Sequence, residues 1–75
     1  MKDKIKIGGK EYSLKKIDKK LWAVLVDGES SKYQIKPHRQ RRQNFFAIID
    51  TETGYMSSHV YSSLEYAFVM AMHAL

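Results

Sequence analysis

The stretch Ser62-Ser63-Leu64-Glu65-Tyr66-Ala67-Phe68-Val69-Met70-Ala71-Met72-His73-Ala74-Leu75 decides how the rest of the chain is read. Its first four residues fit a capping box. The Ser62 hydroxyl accepts from the Glu65 amide, and the Glu65 carboxylate returns to the Ser62 amide. Tyr61 and Tyr66 stand on either side at the positions of a hydrophobic staple. No Gly or Pro follows, so Ser63 to Leu75 reads as one helix of at most about 20 Å. Upstream of it, apolar residues recur at every second position, which is the spacing of strands. The chain is therefore expected to be an α+β protein, an antiparallel meander sheet of about five or six strands packed by one C-terminal helix.

Working back from the helix, each strand is bounded by a turn. Lys4-Ile5-Lys6-Ile7 alternates, Gly8-Gly9 offers a turn able to take positive φ, and Lys10 to Ile17 resumes with Tyr12 and Leu14 on one face. Residues 3–17 thus form a hairpin, in which Ile17 breaks the two-residue phase and marks a bulge or the strand's end. After Asp18-Lys19-Lys20, the run Leu21 to Val26 is apolar on both faces and stops at Asp27-Gly28: a central strand and its turn. Tyr33 and Ile35 alternate with Lys32, Gln34 and Lys36 in a further strand that Pro37 ends or places at an edge. Residues 38–44 hold no apolar side chain and read as an exposed loop or the protruding end of a hairpin. Phe45–Ile49 and Tyr55–Tyr61 pair across the turn Asp50-Thr51-Glu52-Thr53-Gly54. At 75 residues, without repeat or linker, this is one small domain spanning 1–75.

The helix is apolar nearly all round, with Glu65 and His73 its clear polar residues after the cap. A helix on one face of a sheet buries a stripe and shows polar residues opposite. So little chain cannot wrap a helix completely, which points to self-association, most simply a two-fold homodimer. Ala67, Phe68, Met70, Ala71 and Ala74 are the expected interface, the alanines permitting close helix–helix approach. The stretch is too short for a membrane span and has no Lys or Arg to hold a surface-lying helix on lipid.

Charge is unevenly spread. Residues 1–42 carry all thirteen Lys and Arg with five carboxylates, net +8; residues 43–75 carry three carboxylates and neither Lys nor Arg, net −3. Arg39, Arg41 and Arg42, with Lys36 and His38, present cations and guanidinium forks suited to phosphates or guanine edges. Gln40, Gln43 and Asn44 add amides able to read adenine edges. Lys2, Lys4 and Lys6 share one face of the first strand. Lys15 and Lys16, with Lys19 and Lys20, extend the basic surface if the first two strands pair. Trp22, Tyr33, Phe46 or Tyr55 would serve as stacking platforms for single strands if exposed on the uncovered sheet face.

Catalysis is not indicated. His38, His59 and His73 lie on a loop, a strand and a helix, with no carboxylate dyad and no phosphate-cradling glycine loop beside them. The lack of cysteine removes disulfides and thiolate ligands, and no metal or cofactor is expected. The charged, alternating start has no signal-peptide character, and a cytoplasmic location is expected.

The run Phe46-Ala47-Ile48-Ile49, Gly54, Val60-Tyr61-Ser62-Ser63-Leu64-Glu65-Tyr66-Ala67 and Ala71 covers about residues 45–75. It resembles the ends of the three-stranded-sheet-plus-helix DNA-binding domains of phage and transposon integrases and of plant ethylene-response factors. In that family a strand leads through a Ser/Thr-capped start into an Ala-rich helix, and the sheet enters the major groove with basic and aromatic side chains. The resemblance implies DNA binding. The matching strands here, 45–49 and 55–61, carry no Lys or Arg, so contacts are expected from residues 36–44 and the lysines upstream. Two functions fit these residues. One is a small basic nucleic-acid-binding protein, DNA before RNA, acting as a dimeric regulator of phage or mobile-element type. The other is a protein-binding module or inhibitor that docks its basic face on an acidic or nucleic-acid-binding surface of a partner.

Overall fold

The computed structural model describes residues 3–75. It shows a six-stranded antiparallel sheet in simple meander order, β1 (Lys4–Ile7), β2 (Lys10–Asp18), β3 (Leu21–Val26), β4 (Glu29–Gln40), β5 (Gln43–Asp50) and β6 (Met56–Tyr61), followed by helix α1 (Leu64–His73). The expected bulge is present where Ile17 is the extra residue between the Lys16–Trp22 and Asp18–Leu21 pairs. Four hairpins close on two-residue turns: Lys19-Lys20 between β2 and β3, and three others, Gly8-Gly9, Asp27-Gly28 and Arg41-Arg42. The six residues of these last three turns have positive φ, the mirror-type geometry that matches the twist of the flanking strands.

Pairing fixes which side chains share a face. Tyr12, Leu14, Trp22, Val24, Ile35, Ile48 and Phe46 fall on the face that α1 covers. The helix crosses β3, β4, β5 and β6 and fits Ala67, Phe68, Ala71 and Met72 against Val24, Ile35 and Ile48. Phe68 is wholly buried, which contributes about 1.5–3 kcal/mol. The other sheet face has no covering element among the described residues, and we call it the open face. It carries Lys4, Ser13, Lys15, Ala23, Gln34, Lys36, Ala47 and Ile49 in register.

The helix start differs by one residue from the capping box. Ser63, not Ser62, is the N-cap, in extended backbone, and its Oγ accepts from the Tyr66 amide at 3.1 Å. Glu65 therefore occupies the second helical position, too early to reach back to the cap. It remains in the first turn, where the helix dipole favours a carboxylate. The ring contact survives the shift, with Tyr61 and Tyr66 centroids 5.3 Å apart. At the far end, Ala74 and Leu75 donate to Ala71 and Met72, a tightened last turn that satisfies otherwise unpaired carbonyls.

Candidate nucleic-acid interface

Residues 38–44 are the end of a hairpin, and β4 runs straight through Pro37 to reach it. Two facts make the proline harmless. Gln40 and Gln43 close the turn as a hydrogen-bonded pair, and such pairs alternate along the ladder, so the Pro37–Phe46 row exchanges no bonds. The Pro37 nitrogen thus faces the β3 side, where β3 has already ended: its Trp22 pairs with Ile35. On the other flank β6 ends with Tyr61 opposite Phe46. Beyond that row the two strands have no strand neighbour, and a free two-stranded ribbon extends by three rows, about 10 Å, before the turn.

The turn is the unusual part. Gly8-Gly9 and Asp27-Gly28 are the residues such turns favour. At the ribbon tip the same geometry is held by Arg41 (φ 51°) and Arg42 (φ 63°), each with a Cβ that the left-handed region penalises by about 1–2 kcal/mol.

Strand alternation divides the expected site. Lys36, His38, Gln40, Gln43 and Lys15 lie on the open face, whereas Arg39, Asn44 and Lys16 lie on the helix side of the sheet. Lys16 there sits over the Trp22 ring, 5.6 Å from its centroid. No Asp or Glu occurs between Glu29 and Asp50. Among the described residues, side-chain hydrogen bonds and the Lys32–Asp50 ion pair (3.9 Å) all fall outside Lys36–Asn44. The ribbon's polar side chains from Arg39 to Asn44 are exposed and uncommitted, and His38 is half-buried.

The meander also re-sorts charge in space. The β2–β3 and β4–β5 turns share one end of the sheet, so Lys15, Lys16, Lys19, Lys20 and Lys36 gather beside Arg39, Arg41 and Arg42. Asp18, Asp3 at the start of β1 and, at the helix start, Glu65 are the carboxylates toward that end. The turns after β1, β3 and β5 lie at the other end and bring Glu11, Asp27, Glu29, Asp50 and Glu52 there. Lys10 and Lys32 stand at that end too, so the basic excess is concentrated at the ribbon end of the sheet while the other end is mixed. Lys4 and Lys6 are on the open face of β1; Lys2 lies outside the described residues.

Of the proposed stacking residues, Trp22, Tyr33 and Phe46 pack against the core on the helix side, Trp22 and Phe46 edge to face at 6.0 Å. Tyr55 is 77% exposed but stands at the end of the sheet away from the ribbon. The aromatic residue on the ribbon's open face is Phe45, half-buried opposite His38, which the sequence reading passed over. Counting in twos from Lys36 through the turn would have found it. Gln40, Arg41, Gln43 and Phe45 line a shallow concavity of about 350 Å³.

On the helix, Ala67, Phe68 and Ala71 have no exposed surface, because the chain's own sheet covers them. They are core, not a surface for a second copy. Of the five residues expected at a dimer interface, Met70 and Ala74 face outward, next to Tyr66 and Leu75. His38, His59 and His73 stand apart on β4, β6 and α1, and among the described residues no cluster of His, Asp and Glu is arranged to hold a metal. No described helix is long and apolar enough to cross a membrane. Comparison with known proteins gives no matching family model, no matching curated protein and no matching solved structure.

Proposed function

We propose that this chain binds duplex DNA by laying the β4–β5 ribbon in the major groove with its open face toward the base edges. The observation that carries the reading is the tip: two arginines held in left-handed backbone, where the other two turns of this geometry use Gly-Gly and Asp-Gly. Local rules broken without structural gain mark functional positions. A two-stranded ribbon, with strands about 4.8 Å apart, suits a groove about 12 Å wide and 8.5 Å deep. The free ribbon of about 10 Å is long enough to enter while the sheet stays outside. Lys15, Lys36, Lys19 and Lys20 at its base then meet the flanking phosphates, with Arg41 and Arg42 beyond them.

The test is fluorescence anisotropy of a labelled mixed-sequence duplex over a salt series. Five to eight phosphate contacts give a slope of log K against log salt of about −4.5 to −7. A duplex RNA of the same sequence should bind more weakly, because its deep, narrow major groove does not admit the ribbon. Absence of duplex binding at 50 mM salt refutes the proposal. If heparin or an acidic protein binds and DNA does not, the ribbon serves another polyanion.

A further inference from the structure

We infer that the ribbon is selective for A·T base pairs, read by the amides of Gln40 and Gln43 and by the ring of Phe45. This rests on the groove-binding reading above and adds the sequence class. Gln40 and Gln43 are direct cross-strand partners on the open face, in a hydrogen-bonded row whose Cα atoms stand about 5.5 Å apart. Both are exposed, and among the described residues neither side chain is hydrogen-bonded. Phe45 lies two residues along β5 from Gln43, about 6.8 Å away on the same face. With base pairs about 3.4 Å apart, these side chains span three to four successive pairs.

The chemistry selects the base. An adenine edge in the major groove offers an acceptor, N7, beside a donor, N6–H; a glutamine amide offers a donor beside an acceptor, so the two pair in a bidentate fashion. Guanine presents two acceptors there, and the amide oxygen would face O6 or N7 without a proton between them. The thymine C5-methyl meets an apolar side chain favourably, and cytosine has no such group and presents a donor in its place. Phe45 is the apolar side chain in the concavity that Gln40, Arg41 and Gln43 share. Acidic side chains, which would accept from cytosine N4, are absent from this ribbon.

The experiment compares two duplexes with identical flanks and either an A·T or a G·C centre, titrated with the full chain at 150 mM salt. The expected result is at least about fivefold tighter binding to the A·T centre, since one good bidentate pair discriminates by about 1–3 kcal/mol. The double variant Gln40→Ala, Gln43→Ala should lower the ratio of A·T to G·C affinity several-fold, leaving the part of the preference that Phe45 and the thymine methyl supply. Replacing thymidine by deoxyuridine in the A·T probe removes the methyl group without touching the protein, and should weaken wild-type binding several-fold. Equal affinity for both centres, with a normal salt slope, overturns the inference and leaves the groove-binding reading intact. So does a double variant whose ratio of A·T to G·C affinity equals that of the wild type. No binding to either duplex at 50 mM salt removes the underlying reading itself, and single strands binding more tightly than duplex overturn both.

Discussion

Replacing Arg41-Arg42 by Asn-Gly should make the protein more stable and a poorer DNA binder. Both arginines sit at positive φ, and each costs about 1–2 kcal/mol relative to a residue at ease there. Asn tolerates this region and Gly is free in it, though the added flexibility of Gly in the unfolded chain takes back about 0.5–1 kcal/mol. The net gain is about 1–2 kcal/mol. A domain of 60–100 residues shifts by about 4–8 °C per kcal/mol, so Tm should rise by about 5–15 °C. In the same variant two phosphate contacts are lost. The salt slope should shrink by about 1.8, which is about 60-fold in affinity at 0.1 M salt for an unchanged 1 M intercept. Thermal denaturation followed by circular dichroism and anisotropy titration measure the two effects on one sample. An unchanged or lower Tm would refute the turn geometry. A higher Tm with unaltered DNA affinity would refute the placement of the tip on DNA.

Two further substitutions test the helix. Ser63→Ala removes the hydroxyl that accepts from Tyr66 and should cost about 1 kcal/mol, whereas Ser62→Ala should leave Tm within about 2 °C. A larger loss at Ser62 than at Ser63 would make Ser62 the cap instead. Ala71→Glu places a charge in the closed core and should unfold the domain; Met70→Glu, on the outer face, should leave folding intact. If Ala71→Glu instead gives a folded monomer from a wild-type dimer by light scattering, the helix packs against a partner and not against its own sheet.

Much of the architecture is legible in the sequence because turn chemistry and alternation agree. Asp27-Gly28 after a doubly apolar run fixes the central strand, and the phase break at Ile17 foretells the bulge seen there. Three features escape. Adjacent serines make the cap ambiguous by one residue, and the choice is settled by which register turns Ala67, Phe68, Ala71 and Met72 onto the sheet. The alanines look like contacts for a second helix, yet the same small size lets α1 lie close on β4 and β5. Pro37 reads as a strand end or an edge position, and the choice depends on two non-local facts, where β3 ends and which rows bond. Residues 38–44 likewise read as a loop or as the end of a hairpin. The hairpin end is what forms, and that alternative alone gives the side chains faces and separates Arg39 and Asn44 from Gln40 and Gln43.

The meander order has a consequence for how the molecule is made. Every strand pairs with its neighbours in sequence, so the sheet can be assembled hairpin by hairpin through short-range closures, which favours a high folding rate for a sheet protein. A bare sheet of this kind, however, leaves Val24, Ile35 and Ile48 facing water until residues 64–73 exist to cover them. A nascent chain halted before α1 should therefore remain protease-sensitive and sticky. The docking of α1 is then expected to be the cooperative step of folding.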